Sequence, residues 1–329
     1  MLAVSRPRLG RLKLVQTEPI LRKRSASPQR PAVKSECAQL NLPRRPDFWV
    51  DRPRRLLGQG AFGRVYLTES KSGQLTVVKQ VIAPHKQADF CREVRILELL
   101  QAEGLEQRCA LVGFKAAFWA PLCSDSDCSE PNLQQLVPTI EMEYVQGVEL
   151  FDILNQTYQA GVPLDVNAQV AILTALLEQL ACLHAAGIVH RDVKMENILF
   201  DERLGRARLI DYGLACGVPR AAPAMVKCDA VAAAGTLGYL DPGALQALEK
   251  REKPTQTEAG DLWAVGLVAY QLRHLDGIGI ASSQEALQVA KAAQANASNS
   301  ALDAVIASLL QRQPELRPSA LEALAALRK

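Results

Sequence analysis

Apolar and polar residues alternate differently in the two halves of the chain. Short apolar runs at residues 55–60, 63–69 and 75–80 predict three strands, with a glycine-rich turn between the first two. Residues 88–103 carry apolar side chains at helical spacing. Two further strands are predicted at residues 110–118 and 137–143, around a polar insert at 123–132. The first half is therefore predicted to be a small sheet with one major helix.

From residue 150 the apolar spacing becomes helical. Helices are predicted at residues 150–160, 166–186, 257–273, 284–297, 301–311 and 319–328. The predicted fold class is α+β, with a small strand-rich lobe followed by a larger, mainly helical lobe. Ligands favour the crevice between two such halves, so we expect the functional site there.

Composition agrees with one folded domain preceded by a tail. The chain has 329 residues, of which 48% are hydrophobic and 22% charged, enough for a sizeable core. Residues 1–45 contain 11 Lys/Arg and only 2 Asp/Glu, without a sustained period. We expect a basic, disordered tail over residues 1–51 and one domain over residues 52–329, whose two lobes meet near residue 145.

Membrane and metal classes are disfavoured. The longest apolar stretches, such as residues 262–270, are far shorter than the roughly 20 residues that cross a bilayer, so no membrane span is expected. No nucleic-acid partner is expected either. The eight cysteines show no framework pattern, and we interpret them as reduced thiols of an intracellular protein. Cys123 and Cys128 are interpreted as loop thiols in preference to a zinc site.

Three glycines follow the first predicted strand. Gly58, Gly60 and Gly63 would let backbone N–H groups lie close over phosphates. The same spacing suits a bare hairpin or a dinucleotide-binding fold. The dinucleotide fold requires a helix directly after the glycines, whereas the residues from Val65 onward predict a strand. The glycines therefore indicate phosphate binding only together with other motifs.

A lysine and a glutamate follow at a suitable separation. Lys79 ends an apolar strand, and Glu93 lies 14 residues later on the predicted helix. A pair that bridges strand and helix would hold the Lys79 ammonium ready for a phosphate. Each residue alone is equally well explained as a surface charge.

The segment most indicative of chemistry follows the helix predicted at residues 166–186. It contains Asp192, Lys194 and Asn197. In phosphoryl transfer, Asp192 would orient the attacking hydroxyl and accept its proton, while Lys194 would offset charge on the moving group. Asn197 would ligate a metal ion. The alternative is a polar surface turn.

A second metal ligand is predicted at Asp211, which ends an apolar strand. Mg²⁺ takes few ligands from protein and the rest from phosphates and water, so Asn197 and Asp211 suffice. As an isolated segment, Asp211 would be an ordinary residue at a strand-to-turn junction.

These motifs together resemble the eukaryotic-type protein kinases over roughly residues 52–329. The resemblance is specific because the motifs occur in order at workable separations. Lys194, two residues after Asp192, is typical of Ser/Thr kinases rather than tyrosine kinases. The resemblance implies a two-lobed protein-kinase-like fold, and transfer of the ATP γ-phosphate to Ser/Thr hydroxyls of proteins with Mg²⁺.

The resemblance also implies a nucleotide site. Met142 resembles the gatekeeper, and residues 143–145 resemble the hinge whose backbone binds adenine. Residues 235–242 resemble the end of the activation segment, and Asp261 the residue that holds the catalytic-loop backbone. The implied nucleotide-binding residues are Leu57, Gly58, Gly60, Gly63, Val65, Val77, Lys79, Glu93, Met142, Glu143, Val145, Glu149 and Leu199.

Three positions depart from the family pattern. Tyr212 replaces the usual Phe and adds a hydroxyl that needs a partner. Val77 stands where Ala is usual, which would narrow the nucleotide slot. Gly243 replaces the glutamate that normally pairs with Arg317. Arg317 is therefore expected to lack its buried partner and to anchor the activation segment weakly.

Two other functions remain open at this point. A pseudokinase would use the fold as a binding or scaffold module, and a kinase-fold enzyme would act on a small molecule. All residues needed for transfer are present, which favours an active kinase, and the segment near Thr236 favours protein substrates. Glu149 and Glu196 match positions that receive an arginine upstream of the target residue in basophilic kinases. Alternatively, Glu149 binds only ribose and Glu196 is structural.

The sequence also predicts how the protein is regulated and where it is located in the cell. Residues 213–235 contain no Ser, Thr or Tyr, so activity is expected without phosphorylation there. Asp229 is a candidate fixed partner for Arg191; the alternative is that its side chain is only solvated. Ser25 and Ser27 each lie three residues after an arginine, and autophosphorylation is expected at one or the other; the alternative source is another kinase, since Ser27-Pro28 also suits proline-directed enzymes. We expect cytoplasmic localisation; the basic start leaves a nuclear or an organellar address open.

Overall fold

The amino-terminal lobe is built on an antiparallel sheet with the strand order β1-β2-β3-β5-β4. Its strands are β1 Arg54–Gln59, β2 Gly63–Glu69, β3 Leu75–Val81, β4 Phe114–Leu122 and β5 Asn132–Glu143. The computed structural model describes residues 40–49, 54–60, 63–70, 72–83, 86–123, 128, 131–217, 228, 235–255, 257–276 and 279–328. The β-branched run in β3 suits a strand that is paired on both sides.

One long helix accompanies the sheet. Helix α1 spans Gln87–Ala102, and the short helix α2, Leu105–Arg108, follows it. Phe90, Val94 and Leu97 are buried in the core at helical spacing. Gly104, with a φ of 64°, separates the two helices in a left-handed conformation that glycine adopts without steric cost. The buried face of α1 holds the helix against strands β4 and β5.

The carboxy-terminal lobe is mainly helical. Its helices are α3 Leu150–Ala160, α4 Val166–Ala185, α5 Pro242–Glu249, α6 Glu258–His274, α7 Ser283–Asn296, α8 Ala301–Leu309 and α9 Ala320–Leu327. Its short strands are β6 Val148–Glu149, β7 Ile188–Val189, β8 Ile198–Asp201, β9 Arg206–Leu209 and β10 Cys216–Gly217. They form two small sheets, β6-β8-β9 and β10-β7. The predicted α+β fold with two lobes is confirmed.

Helix α4 forms the centre of the carboxy-terminal lobe. Among the described residues, it is the one helix that is long and apolar enough to cross a membrane by length and composition. It packs against α6, α9 and β9, and residues such as Leu176 and Leu180 are fully buried. Length and composition alone are weak grounds for a span, because the core helix of a folded domain passes the same test.

Residues 40–49 pack on the sheet. Phe48 and Trp49 are buried there, and the Trp49 indole N–H donates to the Pro121 carbonyl at 2.9 Å. The guanidinium carbon of Arg45 lies 4.4 Å from the centre of the Phe118 ring. The sequence prediction assigned these residues to the tail, because their aperiodic, proline-containing sequence conceals two buried aromatic side chains. The rest of the predicted tail, which includes Ser25 and Ser27, lies outside the described residues. Asp229, the expected partner of Arg191, also lies outside them.

The cysteines of the described residues all form disulfides, so the prediction of reduced thiols is wrong. The bonds are Cys109–Cys182, Cys123–Cys128 and Cys216–Cys228, and Cys91 is also disulfide-bonded. Sequence spacing conceals such pairs: the first joins residues 73 positions apart, whose Cα atoms the fold brings to 6.1 Å. Disulfides are typical of oxidising environments. Cytoplasmic localisation stays a prediction, without the support that reduced cysteines gave it.

The expected loss of a partner for Arg317 is also wrong. Its guanidinium Nη1 lies 2.9 Å from Asp241 Oδ2 and donates to the Ala259 carbonyl at 2.8 Å. The Arg317 side chain is fully buried, 5.1 Å from the Trp263 ring. Asp241, two residues before Gly243, thus supplies the carboxylate. It also caps α5, since Oδ1 accepts the Ala244 N–H at 2.7 Å.

Candidate active site

The glycine-rich turn joins β1 to β2. Gly60 N–H donates to the Gly63 carbonyl at 3.0 Å, and Gly63 N–H donates to the Gly60 carbonyl at 3.2 Å. A Cβ added at Gly63 would lie 1.8 Å from the Gln80 carbonyl oxygen, so only glycine fits there. A Cβ added at Gly58 or Gly60 would meet no atom of the described residues within 4 Å. The turn is thus fixed at one end and has open space beside the other two glycines.

Replacing Gly63 with alanine is expected to displace the turn from β3. The added methyl cannot coexist with the Gln80 carbonyl, so we expect KM for ATP to rise about tenfold or more. Steady-state kinetics with varied ATP measure the change. Gly60→Ala is expected to cost less, because its methyl meets nothing. An equal or larger rise for Gly60→Ala would contradict the steric explanation.

An ion cluster lies where β3, α1 and the residues after β9 meet. Lys79 Nζ is 2.9 Å from both Glu93 carboxylate oxygens and 3.0 Å from Asp211 Oδ1. Lys79 and Glu93 are buried. Burial alone would lower the pKa of Lys79, but the carboxylates of Asp211 and Glu93 outweigh it and raise the pKa above its ordinary value. The ammonium is therefore charged and held between two acidic groups.

The backbone around Asp211 is shaped by that cluster. Asp211 Oδ1 accepts the Gly213 N–H at 2.8 Å, and a Cβ on Gly213 would lie 3.0 Å from the same oxygen. Burial would raise the pKa of Asp211, but Lys79 and the Gly213 N–H lower it to about 2. Tyr212 is fully buried, and its ring lies edge-on to His190 at 5.4 Å. Asp211 is therefore ionised and fixed in position.

Three side chains, those of Thr236, Lys194 and Asn197, contact Asp192. The Thr236 hydroxyl donates to Asp192 Oδ1 at 2.7 Å, and Lys194 Nζ lies 2.8 Å from Oδ2. Asn197 Nδ2 donates to Asp192 Oδ2 at 3.0 Å and to its backbone carbonyl at 2.9 Å. Lys194 Nζ also donates to the Thr236 hydroxyl at 3.0 Å. A buried carboxylate, an ammonium and an amide thus share one network.

Asp261 fixes the backbone that carries Asp192. Its carboxylate accepts the His190 N–H at 2.8 Å and the Arg191 N–H at 2.7 Å, and it lies 3.0 Å from His184 Nε2. Burial would raise the pKa of Asp261, but these donors lower it. Arg191 has a φ of 70°, a strained value for a non-glycine residue. The two N–H bonds to Asp261 hold the backbone in this turn.

The residues predicted to surround a nucleotide come from both lobes. In the sheet, Val65 is opposite Lys79, and Val77 is opposite Met142. Leu199 lies in β8, where it pairs with Glu149 of β6. Val77 and Leu199 are partly buried and pack against the same continuous core, whereas Leu57 in β1 is exposed. Met142 and Val145 are buried, flanking Glu143.

The Glu143 side chain is engaged within the protein. Its Oε1 lies 2.8 Å from Arg208 Nη1, and its Oε2 accepts the Gly113 N–H at 3.0 Å. Burial would raise the pKa of Glu143, but these partners lower it. Any contribution of Glu143 to nucleotide binding therefore comes from its backbone.

Comparison with known proteins identifies this arrangement. Residues 52–327 match the family model described as protein kinase domain. The chain belongs to the protein kinase family. The order of glycine turn, Lys79, Glu93, Asp192 and Asp211 is thus that of a kinase, and the resemblance in the sequence is confirmed.

Individual relatives of this kinase are distant. The probable serine/threonine-protein kinase PBL28 of Arabidopsis thaliana is 30% identical over 66% of this chain and 52% of its own length. The serine/threonine-protein kinase Nek9 of Xenopus laevis is 29% identical over 83% of this chain and 26% of its own. The liver/testis isoform of the phosphorylase b kinase gamma catalytic chain of Mus musculus is 36% identical over 38% of this chain and 28% of its own length. The chain spans about half or less of the length of these curated relatives.

The kinase site contains oxygen ligands that suit Mg²⁺ and space that suits a nucleoside triphosphate. Asn197 donates through Nδ2, which leaves its amide oxygen to ligate a metal ion. The Asp211 side chain is 35% exposed, so its carboxylate is accessible to a ligand. The open space beside Gly58 and Gly60 suits phosphates. The residues present therefore fit Mg²⁺ and ATP.

A group of carboxylates lies beside the catalytic loop. Burial raises the pKa of Glu149, and the neighbouring charges of Asp152 and Glu196 raise it further. Burial likewise raises the pKa of Glu196, whose Oε2 accepts no hydrogen bond from the described residues. The carboxylates of Asp152 and Glu196 thus lie close enough to Glu149 to raise its pKa, and an acidic group of this kind favours a cation.

Thr236 was not among the predicted site residues. Its hydroxyl joins Asp192 to Lys194, although it lies 44 residues after Asp192 in sequence. The neighbouring residues of the activation segment were the signal that could have found it. Arg92 is a second case: its Nη2 donates to the Gly213 carbonyl at 3.0 Å and to Asp89 at 2.8 Å. An arginine on a helix gives no sequence signal of this role.

Proposed function

We propose that this kinase transfers the γ-phosphate of ATP to Ser or Thr hydroxyls of proteins and uses Mg²⁺. The network around Asp192 carries the proposal: Lys194, Asn197 and the Thr236 hydroxyl all lie within 3.0 Å of its carboxylate or of one another. Lys194 at this position is typical of Ser/Thr kinases. The relatives named above as serine/threonine kinases support the same assignment.

We assign each group a role that its contacts support. Asp192 accepts a hydrogen bond from the substrate hydroxyl, orients it and takes its proton as the oxygen attacks. Lys194 is held at 2.8 Å from Asp192 and offsets the negative charge of the moving phosphoryl group. Lys79, fixed by Glu93, binds phosphate oxygens of the nucleotide. The Thr236 hydroxyl, which is hydrogen-bonded to both, holds Asp192 and Lys194 in position relative to each other.

The metal site would be held by Asn197 and Asp211. A Mg²⁺ ion held by these two residues would supply positive charge that offsets the negative charge of the nucleotide phosphates during transfer. Asn197 is kept in place by its two bonds to Asp192, and Asp211 by Gly213 and Lys79. Positioning of these two ligands is the contribution of the chain.

Incubation with γ-labelled ATP, Mg²⁺ and a mixed protein substrate tests the proposal. We expect label on Ser and Thr of protein with the wild-type chain and none with Asp192→Asn, which excludes a contaminating kinase. Binding of ATP without transfer would instead assign a scaffold function. Label on a small molecule alone would assign a small-molecule kinase.

The proposed substrates carry an arginine upstream of the target residue. The carboxylates of Glu149, Asp152 and Glu196 supply the charge, and a guanidinium forms charge-assisted, often bidentate bonds to carboxylates. The positions of Glu149 and Glu196 resemble those that bind the substrate arginine in basophilic kinases. In those kinases the arginine lies three residues before the target hydroxyl, so we expect the same spacing here.

Two peptides that differ only in Arg or Ala three residues before the serine test this preference. We expect kcat/KM for the Arg peptide to be at least about tenfold higher with the wild-type kinase. The double variant Glu149→Gln/Glu196→Gln should lose most of this ratio; both peptides are measured at saturating ATP, so that any contact of Glu149 with the nucleotide affects the two rates equally. Glu202→Gln, an exposed carboxylate after β8, is the matched control. An undiminished ratio in the double variant would refute the assignment.

A further inference from the structure

The activation segment contains a disulfide. Cys216 lies in β10 and is opposite Val189 of β7, the residue directly before His190 of the catalytic loop. Cys216 is fully buried. It is bonded to Cys228, 12 residues later. One end of this bond is therefore built into the strand pair beside the catalytic loop.

The other end precedes, in sequence, a residue that contacts Asp192. Cys228 is followed eight residues later by Thr236, whose hydroxyl donates to Asp192 Oδ1 at 2.7 Å. Thr236 is buried and also accepts a hydrogen bond from Lys194. The disulfide thus shortens the chain that leads to Thr236 and restricts the conformations in which Thr236 leaves Asp192.

Phosphate cannot provide this restraint. Residues 213–235 contain no Ser, Thr or Tyr, so no phosphate ester can form between Tyr212 and Thr236. Two cysteines are present in the same stretch, and they are bonded to each other. The Cys216–Cys228 bond is therefore a covalent link within this stretch that reduction can break, whereas a phosphate ester on a hydroxyl residue cannot form there.

We propose that Cys216–Cys228 is a redox site at which a dithiol reductant lowers the activity of the kinase. The inference rests on the proposed function. A reductant thiolate attacks Sγ of Cys228, forms a mixed disulfide and releases Cys216 as a thiolate, which takes up a proton. The second reductant thiol then displaces Cys228. The kinase disulfide gains two electrons and two protons, and the dithiol is oxidised to its own disulfide.

Exposure makes Cys228 the point of attack. Cys228 is partly exposed, whereas Cys216 is enclosed by the core. Cys123 and Cys128 are both fully buried, so a reductant reaches that bond less readily. Cys182 is partly exposed, and its bond to Cys109 therefore needs its own control.

The test compares oxidised and dithiothreitol-treated wild-type kinase, with the reduced fraction of each bond measured by thiol labelling and peptide mass mapping. We expect reduction of Cys216–Cys228 to lower transfer to a protein substrate at least tenfold, with Kd for ATP within twofold. The variant Cys109→Ala/Cys182→Ala should keep this response. The variant Cys216→Ala/Cys228→Ser should show the low activity with or without dithiothreitol. Equal activity of wild-type kinase in the two states, with the bond fully reduced, would overturn the proposal.

A readout without phosphate transfer separates this inference from the proposed function. Arg220 and Lys227 are trypsin sites within the bridged stretch. We expect reduction to speed cleavage at these bonds at least fivefold in wild-type kinase, and an unchanged rate would count against the proposal. If oxidised kinase transfers no phosphate to any substrate, the proposed function fails, while the cleavage rates still decide whether the disulfide restrains the segment.

Discussion

Lys79→Met is expected to lower kcat/KM for phosphate transfer at least about a hundredfold, which corresponds to roughly 3 kcal/mol of lost transition-state stabilisation. The ammonium is the group that bridges Glu93 and Asp211, at 2.9 and 3.0 Å. Methionine keeps much of the length of the side chain but has no charge. Steady-state kinetics with Mg²⁺ and ATP measure the change, and circular dichroism monitors the fold.

Lys115→Met is the matched control for this variant. Lys115 lies in the same sheet, on β4, but is exposed. We expect its kinetics to stay within twofold of the wild type, because Lys115 is an exposed lysine outside the ion cluster of Lys79, Glu93 and Asp211. Near wild-type kcat/KM in Lys79→Met would show that this lysine does not bind the phosphates.

Asp241→Ala is expected to lower the free energy of unfolding by about 3–5 kcal/mol. Removing the carboxylate leaves the guanidinium of Arg317 buried without its charged partner, 2.9 Å from the vacated position. It also removes the cap of α5, where Oδ1 accepts the Ala244 N–H. Urea unfolding followed by circular dichroism measures the loss.

Two comparisons make the stability test specific. The double variant Asp241→Ala/Arg317→Met should be less destabilised than the sum of the two single variants, because it removes the unpaired charge as well. Glu178→Ala, which breaks the exposed pair with Arg328, should change stability by no more than about 0.5 kcal/mol. Strict additivity in the double variant, or a loss below about 1 kcal/mol for Asp241→Ala, would contradict a structural role for the buried pair.

Local sequence signals predicted most of the helices. The helix predicted at residues 150–160 agrees with α3, which Gly161 ends at a φ of 66°. The helix predicted at residues 166–186 agrees with α4, whose start is capped by the Asp165 carboxylate. Both are long enough for apolar spacing to appear, and both have an end residue with a defined capping chemistry. Such elements are specified by neighbours in sequence.

Short or displaced elements were not predicted correctly. Helix α5 was missed, although Asp241 and Pro242 are a cap and a first-turn proline, because eight residues show too little periodicity. The strand predicted at residues 110–118 begins at Phe114 instead. Arg208 explains the difference, since its guanidinium donates to the carbonyls of Ala110 and Leu111 and holds them in a loop. Arg208 is about a hundred residues away, beyond any local pattern.

Site residues that lie close together in sequence were predictable, whereas contacts between distant residues were not. Asp192, Lys194 and Asn197 lie within six residues, so their spacing alone indicated their chemistry. The pairing of Arg317 with Asp241 and the bond between Cys109 and Cys182 join residues more than 70 apart. Composition and periodicity contain no information about such contacts. The corrected prediction of an unpaired arginine concerned a contact of this kind, and so did the reduced state predicted for Cys109 and Cys182.

The rate of phosphate transfer by the Asp192→Asn variant is the most direct test of the catalytic role assigned to Asp192. Asparagine keeps the shape of the side chain, and it can still contact Thr236 and Asn197, but it cannot accept the proton of a substrate hydroxyl. The measurement is kcat for a serine peptide at saturating ATP and Mg²⁺, together with Kd for ATP. We predict a kcat at least about a hundredfold below wild type, with Kd within threefold. A turnover close to wild type in Asp192→Asn would contradict the account.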